Sequence, residues 1–261
     1  MIEAAVEAAR VAGDILLSYW RSLPGGSVEE KAQNDFVSRA DRESEAAILE
    51  ILAARHPSDG VLGEEGASRK SASGRDWIVD PLDGTSNFIA GFPFWCVSIG
   101  LRDRGGIAGG VVWDPLRGEL FTAERGGGAF RNGERLRASA RAGVTGAFLA
   151  TGFPFRAHEK IDEYLAIFRS LFLEARAIRR AGSAALDLAN VAAGTFDGFF
   201  EFRLSAWDIA AGAALIAEAG GEVRDFRGGA AYLETGDVIA GSPGVVRDIL
   251  AAARRAAAGR T

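Results

Sequence analysis

Three places in the sequence bring carboxylates close enough to share a cation. The longest is Asp76-Trp77-Ile78-Val79-Asp80-Pro81-Leu82-Asp83-Gly84-Thr85-Ser86-Asn87-Phe88. An apolar strand ends in Asp80, Pro81 bends the chain, and Asp83 follows three residues later beside a glycine. Two carboxylates and the intervening Leu82 carbonyl can then converge on one point. Three hard oxygens suit Mg²⁺, which prefers near-octahedral oxygen ligation and keeps several waters. The same residues also fit a loop in which the aspartates only cap turns. The second place is Gly63-Glu64-Glu65-Gly66, where adjacent carboxylates repel and either a metal or open solvent relieves them. The third is Trp207-Asp208, an acid opening an Ala- and Gly-rich helix, a position that capping and the helix dipole also favour. No single one of the three is decisive.

The elements around these residues follow from hydrophobic period. Val6, Ala9, Gly13, Leu16, Leu17 and Trp20 recur at helical spacing, and Pro24-Gly25-Gly26 stops the helix. A second helix is predicted from near Asp41 to about Arg55, with Ala47, Ile48, Ile51 and Leu52 on its buried side. His56-Pro57 ends it, and Val61-Leu62 is a short strand delivering Glu64. Between about residues 76 and 137 the period drops to two, with turn signals at Gly105-Gly106, Asp114-Pro115 and Asn132-Gly133, which predicts an antiparallel meander. From about residue 147 strands and helices alternate. Strands are expected at 147–150, 177–178, 196–202 and 238–240, and helices at 158–173, 183–193, 207–219 and 243–257. That alternation argues for a layered α/β half. No linker composition separates the halves, so two closely packed subdomains are expected, 1–140 (α+β) and 141–261 (α/β).

Bulk properties narrow the function class. The chain has 261 residues, 48% hydrophobic and 25% charged, ordinary values for a globular protein. A net charge of −5 offers no basic surface for nucleic acid or anionic lipid. One cysteine, Cys96, excludes an intrachain disulfide and fits a reducing compartment. Glu3, Glu7 and Asp14 interrupt the N-terminal apolar pattern, so no signal peptide is read there, and no run reaches the roughly 20 apolar residues of a membrane span. A cytoplasmic protein with neither nucleic-acid nor membrane partners is expected. His56 precedes a proline and His158 opens a helix, positions that suit capping or solvent rather than catalysis, and Cys96 reads as a buried structural thiol. Gly126-Gly127-Gly128 lacks the Lys-Ser/Thr of a phosphate-binding P-loop. Arg176, Arg179 and Arg180 could be a solvated face, a dimer contact or a phosphate-facing patch. Haloacid-dehalogenase phosphatases also carry Asp-Gly-Thr, but their two aspartates lie two residues apart near the start of the chain; here the spacing is three and more than seventy residues precede it.

In combination the clusters resemble the inositol monophosphatase family, the lithium-sensitive, magnesium-dependent phosphatases. Trp77 through Phe88 matches one motif of that family, and Trp207-Asp208-Ile209-Ala210-Ala211-Gly212, continuing to Glu218-Ala219-Gly220-Gly221, matches a second. Asp35-Phe36-Val37-Ser38-Arg39-Ala40-Asp41 resembles the segment before the metal-binding glutamate, and Gly182-Ser183-Ala184-Ala185-Leu186-Asp187 the substrate-side turn. The four stand in the family's order. The resemblance implies a layered αβαβα sandwich of the sugar-phosphatase type, a homodimer, and hydrolysis of inositol monophosphate to inositol and phosphate by metal-activated water. It implies two or three Mg²⁺ per site. Glu64, Asp80 and the Leu82 carbonyl would hold the first ion; Asp80, Asp83 and Asp208 would hold the second; a weaker third would sit near Glu64. Thr85, hydrogen-bonded to Asp41, would orient the attacking water and take its proton, and Gly84 and Thr85 would offer N–H groups to phosphate. Ser183, Ala184 and Glu201 would contact the substrate, a small phosphorylated polyol or sugar. Most metal ligands then fall in the first subdomain, and one ligand with the substrate side in the second.

Arg203, between Glu201 and Asp208, stands where inositol phosphatases usually carry a small residue. A cation there could pair with Glu201 or meet a second phosphate. Fructose-1,6-bisphosphatase, adenosine 3′,5′-bisphosphate nucleotidase and histidinol phosphatase activities therefore remain rivals, together with a scaffold or regulator that keeps the fold.

Overall fold

A period of two in the middle of the chain becomes an eight-stranded sheet. In this computed structural model, which describes residues 1–22 and 30–258, side chains are described outside 30–38. The Pro24-Gly25-Gly26 stop, the side chains of residues 35–38 and the last three residues of the tail lie outside that description. Strands β1 (Gly60–Gly63), β2 (Ser68–Arg69), β3 (Asp76–Asp83), β4 (Cys96–Asp103), β5 (Gly106–Asp114), β6 (Glu119–Glu124), β7 (Gly128–Arg131) and β8 (Glu134–Arg135) stand in the order β2-β1-β3-β4-β5-β6-β7-β8. From β3 onward the sheet is the antiparallel meander that the alternation predicts. Asn132 and Gly133 close its last hairpin with φ of 50° and 83°, the backbone that Asn-Gly tolerates. Strand β1 runs parallel to β3 with Gly63 opposite Val79, so the loops carrying Glu64 and Asp80–Thr85 leave the sheet at the same end.

Helices α1 (Glu3–Arg21) and α2 (Glu30–Arg55) cover one face of this sheet. Ala5, Ala8, Ala12 and Leu16 of α1 and Ile48 and Leu52 of α2 share a core with Val79, Val97, Ile99 and Val111. Helix α2 begins at Glu30, well before the expected start near Asp41. Residues 30–41 contain neither Gly nor Pro, so no breaker interrupts the helix once it has started.

The second half supplies a five-stranded sheet, β10-β9-β11-β13-β12, from β9 (Phe148–Thr151), β10 (Ala177–Arg179), β11 (Gly198–Glu201), β12 (Glu222–Arg224) and β13 (Val238–Gly241). The first three in that order are parallel; β13 is antiparallel to both neighbours. Helices are α3 (Thr85–Ile89), α4 (Ile161–Phe172), α5 (Ala184–Ala192), α6 (Ala206–Glu218), α7 (Tyr232–Thr235) and α8 (Pro243–Ala258). Helices α5 and α6 lie between the sheets: Leu186, Leu188, Ile209 and Leu215 pack with Val112 and Phe121 on one side and Phe199 and Val238 on the other. Buried on two sides, α6 is apolar nearly all round. Helices α4 and α8 cover the far face through Tyr164, Ile167, Val245 and Ile249 against Leu149, Phe200 and Ile239. The result is the five-layered αβαβα arrangement. The short β12 and one-turn α7, absent from the sequence reading, are too brief to show a period. No described helix is long and apolar enough to cross a membrane.

Candidate active site

The three acidic clusters meet in one cleft between the two sheets. Asp80 and Asp83 come from the end of β3, Asp208 from the first turn of α6, and one carboxylate oxygen of each lies within 4.8 Å of the others. All three are buried. Each is held through one oxygen by local hydrogen bonds. The Leu82 N–H donates to Asp80 Oδ1 at 3.0 Å. The Ser183 hydroxyl and the Ala185 N–H donate to Asp83 Oδ2 at 2.6 and 2.7 Å. The Ser205 N–H donates to Asp208 Oδ2 at 2.7 Å, half of a capping box at the start of α6. Half-buried Glu64 joins them just after β1, near enough for its charge to act on Asp80.

Burial raises every one of these acids, and neighbouring carboxylates add to it at Glu64, Asp80 and Asp83. Asp83 is pushed up to about 7 by burial and the Asp208 charge. Asp80 rises well above the usual carboxylate range through burial, then Glu64 and Asp83. Glu64 and Asp208 also rise, chiefly through burial. One guanidinium, Arg156, answers this charge at 3.7 Å from Asp208, and it is largely exposed. A chain does not gather four such groups cheaply without a cation. The donor set is all oxygen, which fits a hard divalent ion.

The water-activating pair expected from sequence is not formed. The Thr85 hydroxyl donates to the Leu82 carbonyl at 3.0 Å, an acceptor three residues back in its own turn, and not to Asp41. Asp41 lies buried on α2 facing Glu65, Glu64 and Glu45; its Oδ1 has no hydrogen-bond partner, and burial followed by those charges pushes its carboxyl up to about 8. Thr85, Gly84 and Leu82 line the cleft, whereas Asp41 does not.

Ser183, Ala184, Glu201 and Arg203 line the same cleft as the acids, a space of about 260 Å³. That volume sits below the range of drug-sized pockets and suits a small polar ligand. Glu201 ends β11; burial and then Asp208 push it up to about 8, with Arg180 opposing. Its carboxyl fills the place where a side chain on Gly152 would be, about 2.0 Å from an ideal Cβ. Arg203 adopts a positive φ of 59°, its N–H bonds Asp237, and its guanidinium faces Glu159 at 3.9 Å; no ion pair joins it to Glu201.

Arg156 reaches the site without a signal in the sequence, whereas Arg180 belongs to the arginine cluster that the sequence marks as one that could face phosphate. Arg156 and Arg180 both line the cleft, one from the loop after β9 and the other from the loop before α5. Arg180 stacks on Phe153 and Phe155, while Arg176 and Arg179 stack on Phe148, so the three-arginine cluster divides. Asn87 donates to the Phe94 and Ala181 carbonyls at 2.7 and 2.9 Å and ties the α3 turn to the second half. Gly126 and Gly128 donate to Glu218 at the end of α6 rather than to an anion. Neither histidine lines the cleft. Cys96 is a buried free thiol beneath Asp83.

A model of the inositol monophosphatase family matches residues 1–258. Nus factor SuhB of Salmonella typhimurium is 46% identical over 252 residues, 96% of this chain and 94% of that protein. Among solved structures, extragenic suppressor protein suhB from Bartonella henselae superposes with a TM-score of 0.86 at 41% identity, covering 97% of this chain and 98% of that one. Inositol monophosphatase from Anabaena (Nostoc) does so with a TM-score of 0.87 at 35% identity, covering 97% and 95%.

Proposed function

Because the chain belongs to the inositol monophosphatase family, we propose that it hydrolyses a small phosphorylated polyol, inositol monophosphate first among them, to the free alcohol and phosphate. The observation that carries this reading is the juxtaposition, in one small cleft, of three buried carboxylates within 4.8 Å and the Glu201 carboxyl. Glu64, Asp80 and the Leu82 carbonyl would hold one Mg²⁺, and Asp80, Asp83 and Asp208 a second, with a weaker third near Glu64. Bound there, the ions would acidify a water and neutralise charge on the phosphate and the leaving oxygen.

The chain's own residues set the geometry. Ser183 and Ala185 fix one oxygen of Asp83 and turn the other toward Asp80 and Asp208. The Leu82 carbonyl accepts from Thr85 and keeps a second lone pair for a cation. Thr85 orients the attacking water through its hydroxyl, and Glu64 receives the proton. Glu201 accepts a hydrogen bond from a hydroxyl of the leaving group, while Ala184 and Ser183 border it. Gly84 and Thr85 lie at the phosphate end. We place the assembly as a cytoplasmic homodimer with two subdomains meeting near residue 140.

Phosphate release tests the reading, using inositol 1-phosphate, fructose 1,6-bisphosphate, adenosine 3′,5′-bisphosphate and histidinol phosphate with Mg²⁺, with and without Li⁺. The expected result is Mg²⁺-dependent release, highest with inositol 1-phosphate and inhibited by Li⁺. Preference for a bisphosphate would transfer the assignment to that substrate and make Arg203 the residue to change. No release from any of the four would contradict the enzymatic reading. A second role is favoured by the Salmonella relative, 46% identical and called a Nus factor. If an Asp83→Asn chain replaces that relative in its Nus function while releasing no phosphate, the second role is independent of turnover; if only the active chain replaces it, the two are linked.

A further inference from the structure

Among the described residues that line the cleft, one buried polar group that the reaction above does not use also lacks a hydrogen-bond partner. Asp187, in the first turn of α5, is 2% exposed, and its Oδ1 has no hydrogen-bond partner. The donors nearest in sequence are committed elsewhere: Ser183 and Ala185 to Asp83, and the Leu186 N–H to Ser183. The N–H of Asp187 itself bonds the Ser183 carbonyl. Among the described residues no cation comes within ion-pair distance of its carboxyl. Arg180, whose charge acts on it, stacks on Phe153 and Phe155 instead.

A buried carboxyl without a partner is rare in a native chain and calls for an explanation. The helix dipole favours an acid in this turn, but it would do so equally on an exposed face of the helix. Asp187 nevertheless lines the cleft, as Glu201 does, within range of the charges of Glu201 and Asp83. Rotation about its last side-chain bond presents either oxygen to whatever enters. Two carboxyls therefore border the leaving-group end, and a single hydroxyl of the substrate engages only one of them.

We propose that Asp187 is a second polyol-recognition residue, bonding a leaving-group hydroxyl other than the one held by Glu201, so that the cleft selects alcohols carrying at least two hydroxyls. This rests on the phosphomonoesterase reading above. A site built to bond a hydroxyl discriminates strongly against an analogue lacking it, because the buried group is then left unpaired.

The test compares inositol 1-phosphate with cyclohexyl phosphate, the same ring without free hydroxyls, using the full chain and its Asp187→Ala and Asp187→Asn variants. Wild-type protein is expected to prefer inositol 1-phosphate. In Asp187→Ala the ratio of kcat/KM between the two substrates should fall roughly tenfold, the worth of about one hydrogen bond, through KM for the polyol. Asp187→Asn, which keeps an acceptor oxygen, should restore most of the ratio. The melting temperature of both variants should match or exceed that of wild type, since no bond within the protein is lost. An unchanged ratio, a parallel fall with both substrates, or a loss of folding in both variants would overturn the proposal. Wild-type protein that hydrolyses both substrates equally would sink it while leaving the phosphatase reading intact; protein that hydrolyses neither would remove both.

Discussion

Glu201 owes its position to the residue across from it. With no side chain on Gly152, the Glu201 carboxyl packs directly against the backbone there. Gly152→Ala would set a methyl about 2.0 Å from that carboxyl, the movable end of a flexible side chain. We expect stability to change by less than about 1 kcal/mol, while kcat/KM for a polyol phosphate falls roughly tenfold as Glu201 is displaced. Steady-state kinetics beside a denaturant melt would check both, and a destabilised chain with normal kinetics would refute the assignment. Glu201 is readable in the sequence only through the family resemblance, and the metal ligands also because Asp80 and Asp83 flank a proline bend. Arg156 is not readable, while Arg180 and Asp187 are readable only as members of the arginine cluster and of the Gly182–Asp187 turn, with no role attached. Arg156 reaches Asp208 across 52 residues of chain, and nothing in the spacing marks that contact. Asp187 looks like an ordinary first-turn acid until its burial and missing partner are seen. The misplaced pair, Thr85 and Asp41, shows the converse: both residues were singled out from the sequence, but which acceptor a hydroxyl selects depends on a local turn that sequence spacing does not resolve.

Helix α6 carries Asp208 into the site, and its placement depends on how closely it approaches the large sheet. Its backbone lies against Gly100 of β4 and Gly110 of β5; a Cβ on Gly110 would fall 2.6 Å from Ala211 Cα and O. Those are main-chain atoms, so the helix itself would have to move. Gly110→Ala should therefore cost about 1–3 kcal/mol of stability, as overpacking does. It should also weaken Mg²⁺ binding by shifting Asp208. Urea midpoints and a calorimetric Mg²⁺ titration measure the two effects, and retained affinity in a destabilised chain would show that Asp208 is not set by this contact. The Ser98 hydroxyl, bonded to the Trp207 carbonyl at 3.2 Å, anchors the same turn. At this scale most of the fold is legible in the sequence: the meander, the alternating second half and the Asn132-Gly133 hairpin follow from period and turn residues. The early start of α2 was missed because its first residues lack an apolar stripe that would mark them as helix, while β12 and α7 owe their existence to their neighbours.

Across the whole molecule, raised carboxyls make stability depend on pH. Asp83, Asp41 and Glu201 are pushed up to about 7, 8 and 8, and Asp80 well above its usual range. These groups bind protons more tightly folded than unfolded, so their contribution is complete below about pH 4 and is lost as pH rises through 7 to 8. Metal-free protein should therefore melt at a lower temperature at pH 8 than at pH 5. Mg²⁺ competes with those protons and should recover the loss at pH 8, by about 2.7 kcal/mol at a hundredfold excess over its Kd, with little effect at pH 5. Melting curves at both pH values would detect this, and equal Mg²⁺ stabilisation at pH 5 and pH 8 would show that the ion binds elsewhere. Phosphate release from inositol 1-phosphate as Mg²⁺ is titrated into chelator-treated protein, for wild type and Asp83→Asn at matched thermal stability, tests the central claim most directly. Release that appears with Mg²⁺ in wild type and falls by more than roughly a hundredfold in the variant is the predicted result, since such a loss exceeds what perturbing only the supporting shell of a metal site costs. Near-normal Mg²⁺-dependent release by Asp83→Asn would contradict it.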